Sequence, residues 1–296
     1  MSSNPVRRIA RLLPAKEAPL AGITVYRALP RRELRRIGPF VFLDHFGPFG
    51  HAAGEPDDGT PPPDTVGAHP HAGLQTVTYL FSGAIDHRDS LGTVQRIHPG
   101  AANWMTAGAG IVHGEFPAAA LGPRHGIQAW VALPPDQRGI APAFEHVDAE
   151  RLPHWTKDGA TLRLLAGSLD GKTAPVHTYS PLTYADIALA GTAGAVGTVK
   201  LAVSPDHQLA IYVAEGTVRL DGAPVAAREL AHLEDGAATL ELASDGPARL
   251  MLLGGAPMPE PTVIWWNFVT DSVASGKALQ ARWEAGGFPA LPDVAA

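Results

Sequence analysis

The sequence predicts an all-β protein built as two antiparallel β-barrels, with a short helix near the C-terminus. Three observations predict this class. Short apolar runs of strand length alternate with turn residues along most of the chain. Glycine and proline are abundant, at 32 and 28 residues, and are spread throughout, which favours many turns over long helices. Only residues 270–288 change to a helical period.

Length and composition bound the function classes. The chain has 296 residues, enough for one large or two ordinary domains. Its net charge of −6 and the lack of a basic stripe argue against direct binding to nucleic acid. It contains no cysteine, so disulfides, zinc ribbons and cysteine nucleophiles are excluded. Any bound metal must therefore be held by histidine and carboxylate side chains.

The sequence gives no sign of a membrane or secretory segment. No apolar run approaches the ~18–20 residues that a membrane span needs. Residues 1–22 contain arginines and a few leucines, but no continuous apolar segment of the kind found in signal peptides. We therefore predict a cytoplasmic protein without a membrane partner.

Composition and turn patterns predict the domain limits. Residues 1–20 are expected to form an N-terminal arm, residues 21–135 a first barrel, and residues 136–159 a linker. Residues 160–296 are expected to form a second barrel that ends in the helix. Residues 47–65 are rich in proline and aspartate and predict a loop.

The C-terminal helix is predicted from its period and its ends. Val273, Leu279 and Trp283 fit one side of a helix. Either Asp271 or Ser272 could cap its N-terminus, and the glycines that begin at Gly286 would end it.

Two pairs of metal-ligand residues lie in the first half of the chain. They are His69 with His71, and His113 with Glu115, and one residue separates the members of each pair. Because side chains of a β-strand alternate between faces, each pair would place both groups on one face. Two adjacent strands would then bring three imidazoles and one carboxylate together.

This set of three nitrogens and one oxygen suits a divalent Fe, Mn, Co, Ni, Cu or Zn ion. Two short pairs could arise by chance in a chain with thirteen histidines. Their setting favours a site, because apolar strand formers follow the first pair and the glycine-rich residues 106–110 precede the second.

Other polar residues near these pairs have more ordinary interpretations. Gln75 either binds a ligand or a metal-bound water, or fills a gap in the core. His45 is interpreted as a core residue and His125 as a loop residue. His87 is expected at the exposed end of a strand, and His98 is expected to be exposed as well.

Many short motifs in the right order resemble the pirin family of the cupin superfamily. In the first half they are residues 38–48 (GPFVFLDHFGP), 69–73 (HPHAG), 76–80 (TVTYL), 87–92 (HRDSLG), 99–100 (PG), 104–108 (WMTAG) and 110–115 (GIVHGE). Near the C-terminus, residues 265–269 (WWNFV) also match, so the resemblance spans roughly residues 20–285. Gly114, and Gln75 in a slot where the superfamily often has glutamate, depart from the usual pattern.

The resemblance implies a bicupin fold with two jelly-roll barrels, of which only the first binds a metal. It assigns the metal, usually iron and here Fe²⁺, to His69, His71, His113 and Glu115, with the other five metals as alternatives. Residues 210–216 (AIYVAEG) stand where a metal-binding cupin would have His-x-His, and His207 and His232 are unpaired. The second barrel is therefore expected to be structural.

Three functions are compatible with such a site. A divalent metal with three neutral imidazoles and one carboxylate carries a formal charge of +1 and would attract enolates and phenolates. The resemblance implies a quercetin 2,3-dioxygenase-like enzyme that acts on a flavonol, or a related enolisable aromatic, and O₂. Glu115 would be its catalytic base.

The second function is a metal- or redox-responsive module that binds a protein partner, such as a transcription factor or a metabolic enzyme. The third is non-redox chemistry, such as isomerisation, with zinc or manganese. The sequence alone leaves all three open.

Overall fold

The computed structural model describes residues 6–50, 65–118, 122–191, 197–259 and 261–292. Residues 51–64 of the expected loop lie outside this part of the chain. The described strands of the first half are β1 (Ile9–Pro14), β2 (Lys16–Leu20), β3 (Ile23–Leu29), β4 (Phe40–Phe49), β5 (Val66–His71), β6 (Leu74–Ser82), β7 (Ile85–Asp89), β8 (Val94–Ile97), β9 (Ala102–Thr106), β10 (Ile111–Pro117), β11 (Arg124–Ala132) and β12 (Ala143–Val147).

The second half continues the same pattern of short strands. They are β13 (His154–Lys157), β14 (Ala160–Leu169), β15 (Lys172–Thr173), β16 (Leu182–Ala190), β17 (Gly197–Ala202), β18 (Gln208–Glu215), β19 (Thr217–Leu220), β20 (Ala223–Ala226), β21 (Glu229–Leu233), β22 (Thr239–Ser244), β23 (Pro247–Gly255), β24 (Val263–Trp265) and β25 (Phe268–Thr270). A 3₁₀ turn at Pro135–Gln137 and helix α1 (Val273–Glu284) complete the described elements.

The chain forms two compact units. One, here called the histidine unit, comprises Glu17–Val25, Leu43–Ala149 and Met258–Ala296. The other, here called the aliphatic unit, comprises Met1–Lys16, Tyr26–Phe42 and Glu150–Pro257. The C-terminal segment with α1 therefore groups with the first half of the chain. The domain limits expected from the sequence remain a prediction.

The all-β prediction is confirmed, and each unit is built from open antiparallel sheets. A four-stranded sheet with the order β5-β10-β7-β8 lies in the histidine unit. A seven-stranded sheet has the order β12-β9-β6-β11-β4-β3-β2. The aliphatic unit has a four-stranded sheet, β17-β22-β19-β20, and an eight-stranded sheet along β1-β21-β18-β23-β16-β14-β13, with β15 paired to β14.

Within the expected N-terminal arm, residues 9–14 and 16–20 form strands β1 and β2. Strand β1 pairs antiparallel with β21, so that Leu13 lies opposite Leu230. Arg7, just before β1, is fully buried, and its guanidinium donates to the carbonyl oxygens of Ala237 at 2.7 Å and Ser204 at 2.8 Å. Backbone pairing and a buried cation thus fix a segment whose sequence shows little alternation.

The C-terminal helix is confirmed. Ser272 caps α1, because its hydroxyl accepts a hydrogen bond from the Ser275 amide at 3.1 Å. Leu279 and Trp283 pack against a cluster that contains Phe268, as the helical period predicted. Val273, at the start of the helix, is 47% exposed.

Candidate metal centre

Three of the four predicted ligands converge in the histidine unit. One ligand nitrogen each of His69, His71 and His113 lies within 4.8 Å of the others. The ring centroids are 4.9 Å apart for His69 and His71, 4.3 Å for His69 and His113, and 5.0 Å for His71 and His113. His71 and His113 are buried, whereas His69 is partly exposed. We call these three residues the histidine triad.

The pairing of β5 with β10 produces this arrangement. The two strands are antiparallel, with His69 directly opposite His113 and His71 directly opposite Ile111. Directly opposite residues share a face of the sheet, and residues two apart on a strand share a face as well. The His-x-His spacing and the register therefore bring all three imidazoles to one face.

Hydrogen bonds leave the same nitrogen of each ring available for a metal. The Nδ1 atom of His69 donates to the Gly67 carbonyl oxygen at 2.8 Å, and that of His71 donates to the Asn267 carbonyl oxygen at 3.0 Å. The Nε2 atom of His113 is buried without a hydrogen-bond partner. Such an unpaired buried nitrogen is costly unless a ligand satisfies it, so the residues present fit a metal ion.

Burial also keeps the triad in the protonation state that metals require. Desolvation lowers the pKa of His69, and it lowers the pKa of His71 and His113 well below the ordinary value. The neighbouring imidazoles reinforce the effect at His71 and His113. Neutral rings can coordinate without first losing a proton.

Glu115 lies beside the triad rather than within the group of converging atoms. It is on β10 two residues after His113, beyond a register shift between the two residues in the pairing with β5. Its Oε1 accepts a hydrogen bond from the Thr78 hydroxyl at 2.8 Å, and its side chain is partly exposed. Its negative charge raises the pKa of His69, against the larger effect of burial. Its role as fourth ligand remains a prediction.

His87 and Asp89 are polar residues of the centre that the sequence reasoning missed. His87 was expected at an exposed strand end, but it is 3% exposed within β7, and Asp89 is 1% exposed. On β7 they lie opposite Glu115 and His113. Their His-x-Asp spacing is the same period-two signal that identified the triad, and it would have found them.

The remaining polar candidates lie outside the triad. Gln75 is buried and donates to the Thr106 hydroxyl at 2.8 Å, which supports neither of its two interpretations alone. His45 is buried, as expected, with its Nε2 2.6 Å from the Nε2 of His125. The loop interpretation of His125 was wrong, because it lies in β11 and is 8% exposed. His98 is exposed, as expected.

Within the described ranges, the triad is the one group of three or more potential ligand residues close enough to hold a metal. In the aliphatic unit, the stretch 210–216 begins within β18 as buried Ala210, Ile211 and Tyr212. None of the helices in the described part of the chain has both the length and the apolar character of a membrane span.

Comparisons with known proteins agree with this geometry. The Pirin family model matches residues 22–131, and the model of the pirin C-terminal cupin domain matches residues 184–289. The chain belongs to the pirin family. This pirin is 45% identical over 265 residues to a Pseudomonas aeruginosa protein named "Putative quercetin 2,3-dioxygenase". The alignment covers 90% of this chain and 80% of that protein.

Two further likenesses extend over nearly the whole pirin chain. A pirin-like protein of Caulobacter vibrioides is 40% identical over 284 residues, 95% of this chain and 94% of that one. The crystal structure of quercetin 2,3-dioxygenase from Acinetobacter baumannii superposes with a TM-score of 0.87 at 33% identity. That likeness covers 97% of this chain and 92% of the other. The bicupin fold is thereby confirmed.

Proposed function

We propose that this pirin is a metal-dependent dioxygenase that acts on a flavonol such as quercetin or on a related enolisable aromatic. The observation that carries the proposal is the triad of converging imidazoles, two of them buried, with an unpaired Nε2 on His113. The names of the similar Pseudomonas and Acinetobacter proteins support the choice of reaction. The small aromatic substrate and O₂ are the proposed reactants.

In this proposal, His69, His71 and His113 hold the metal and Glu115 completes the set. We take Fe²⁺ as the ion, as the family resemblance implies. Mn, Co, Ni, Cu and Zn are alternatives, because a site of nitrogen and oxygen ligands accepts all of them. When bound, the metal would supply Lewis acidity toward a deprotonated hydroxyl and a means of coupling it to O₂.

The protein's own residues would position the substrate and accept its proton. Glu115 would act as general base toward the flavonol hydroxyl. The Thr78 hydroxyl donates to Oε1 of Glu115 and would hold the carboxylate in place for both roles. His69 and Glu115 are more exposed than His71 and His113, so the substrate would approach from their side.

On the inner side, the Trp130 ring meets the edge of the His71 ring at a centroid distance of 5.0 Å. Trp130 is only 8% exposed, so its indole forms an apolar wall that excludes water from that side. Exclusion of water strengthens the electrostatic interactions of the site.

Oxygen consumption with quercetin tests the proposal. The protein, reconstituted with Fe²⁺, should consume O₂ when quercetin is added. A His69→Ala/His71→Ala double variant should bind no iron and consume none. Glu115→Gln should lose turnover by ~10²–10⁴-fold if the carboxylate is the base. Its metal content shows whether the carboxylate is also needed for binding.

The opposite result is equally clear. If iron-loaded protein shows no O₂ uptake with any flavonol, the dioxygenase proposal fails. The metal- or redox-responsive binding module described above would then be the function to test.

A further inference from the structure

A chain of polar contacts leads from the triad to a carboxylate on the neighbouring strand. Strand β7 pairs with β10 on the side away from β5, with Asp89 opposite His113 and His87 opposite Glu115. The Nδ1 atom of His87 lies 3.4 Å from the Nδ1 atom of His113. The Nε2 atom of His87 lies 3.1 Å from Oδ2 of Asp89.

The position of the proton on His87 determines which atoms donate and which accept in this series of polar contacts. A carboxylate oxygen only accepts, so the proton on His87 is on Nε2 and is donated to Asp89. With that proton on Nε2, Nδ1 of His87 is placed to accept the Nδ1 proton of His113. His113 is left with its lone pair on Nε2, the buried nitrogen that has no hydrogen-bond partner.

Both residues behind His113 are held in place. Oδ1 of Asp89 accepts the backbone amides of Leu91 at 2.9 Å and Thr93 at 3.1 Å. The His87 ring stacks on Phe144 with a centroid distance of 4.4 Å and an interplanar angle of 22°. The other two triad rings donate to backbone carbonyl oxygens, whereas the partner of His113 is the side chain of His87.

We propose that Asp89 and His87 are positioning residues that fix the tautomer and the orientation of His113, so that its Nε2 faces the metal. Acceptors behind a ligating histidine orient the ring and raise its basicity. The inference rests on the metal centre of the proposed function, but not on the identity of the metal or on dioxygenase activity.

Two variants of His87 separate hydrogen bonding from packing. His87→Phe keeps a ring that can stack on Phe144 but removes the acceptor. His87→Asn removes the ring but places an amide oxygen, like Nδ1, one bond from Cγ, where it can accept from His113. Asp89 is a poorer target, because its carboxylate also holds the turn at Leu91 and Thr93.

The readout is the affinity for Ni²⁺ alone, measured on the full chain by competition with a chromophoric chelator. His87→Phe should bind Ni²⁺ ~10–100-fold more weakly than wild type, the usual effect of losing such an acceptor. His87→Asn should stay close to wild type. The visible spectrum of Co²⁺-loaded protein should change in the phenylalanine variant and be restored in the asparagine variant.

His146→Phe is the matched control. His146 also has an aspartate two residues later, with its Nε2 3.1 Å from Oδ1 of Asp148, but its Nδ1 pairs with Asn103 at 2.7 Å. This change should leave Ni²⁺ affinity at the wild-type level. Circular dichroism and thermal unfolding of the metal-free proteins report on the fold.

The proposal is overturned if His87→Phe keeps wild-type affinity, or if His87→Asn loses as much affinity as His87→Phe. Should the phenylalanine variant fail to fold, the asparagine variant decides: retained affinity supports the acceptor role, and a tenfold or larger loss overturns it. A wild-type protein that binds neither Ni²⁺ nor Co²⁺ would instead contradict the metal centre itself.

Discussion

The two units share a construction from open antiparallel sheets but fill their interiors differently. In the aliphatic unit, one cluster of buried aliphatic residues joins strands of both sheets, including Ile211 of β18, Leu250 of β23 and Leu240 of β22. The histidine unit also buries apolar side chains, among them Leu74, Val77 and Ile127. Buried polar residues such as His71, His113 and Asp89 occupy the same interior.

This difference indicates that the buried polar groups of the histidine unit lower its stability and serve its chemistry. Burying a polar group costs free energy unless its hydrogen bonds are replaced, whereas burying an aliphatic side chain stabilises. The histidine unit replaces most of these bonds through carbonyl oxygens and the chain from His113 to Asp89. The Nε2 atom of His113 is among the buried nitrogens that keep no hydrogen-bond partner, and its place in the triad points to the ligand.

The first test of this difference between the units is His113→Leu, which replaces one imidazole of the triad with an aliphatic side chain. We expect the metal content to fall from near-stoichiometric to background. The metal-free protein should change little in free energy of unfolding, because removal of the unsatisfied Nε2 is offset by loss of the hydrogen bond to His87. Elemental analysis and chemical denaturation measure the two effects. Loss of stability without metal would show that His113 is a structural residue.

The reverse test weakens the aliphatic interior. Leu250→Ala removes a fully buried side chain from the central strand β23 and should lower the free energy of unfolding by about 2–5 kcal/mol. Below the unfolding transition, metal content should not change, since the triad lies in the other unit. A fall in metal stoichiometry in the folded variant would contradict the view that metal binding does not depend on the packing of the aliphatic unit.

The sequence predicted the elements of the site that depend on local spacing. His-x-His and His-x-Glu on strands require only alternation, so the triad could be named before the structure was known. The sequence could not supply the contacts that depend on register and long-range pairing. These include the position of His87 behind His113, and the carbonyl of Asn267, which meets His71 from 196 residues away.

The same limit applies at the two ends of the chain. Val273 fits a helical stripe, but the helix turns this end of the stripe to solvent, and only packing decides that. Strand β1 shows little alternation because its pairing with β21, rather than a buried face, holds it.

Gly73→Ala tests whether the C-terminal segment supports the triad. Gly73 has a φ of +72°, and a Cβ there would lie 2.0 Å from the Val269 carbonyl oxygen. The change should displace the segment that carries Asn267 and destabilise the protein by about 1–3 kcal/mol. Ni²⁺ affinity should fall with the loss of the His71 acceptor. Gly139→Ala is the control, because a Cβ there meets nothing within 4 Å.

The smallest expected effect concerns isolated histidines of the aliphatic unit. Burial lowers the pKa of His207 and His232 below the usual 6.5, and nearby arginines add to the shift. The unfolded chain therefore binds more protons than the folded protein just below 6.5, so these residues make stability fall as the pH drops through that value. A His207→Gln/His232→Gln variant should lose ~1–3 °C less in Tm than wild type between about pH 7 and about pH 5. Its metal content at about pH 7 should match wild type. An unchanged pH profile of Tm would show that these two histidines do not contribute to the acid sensitivity.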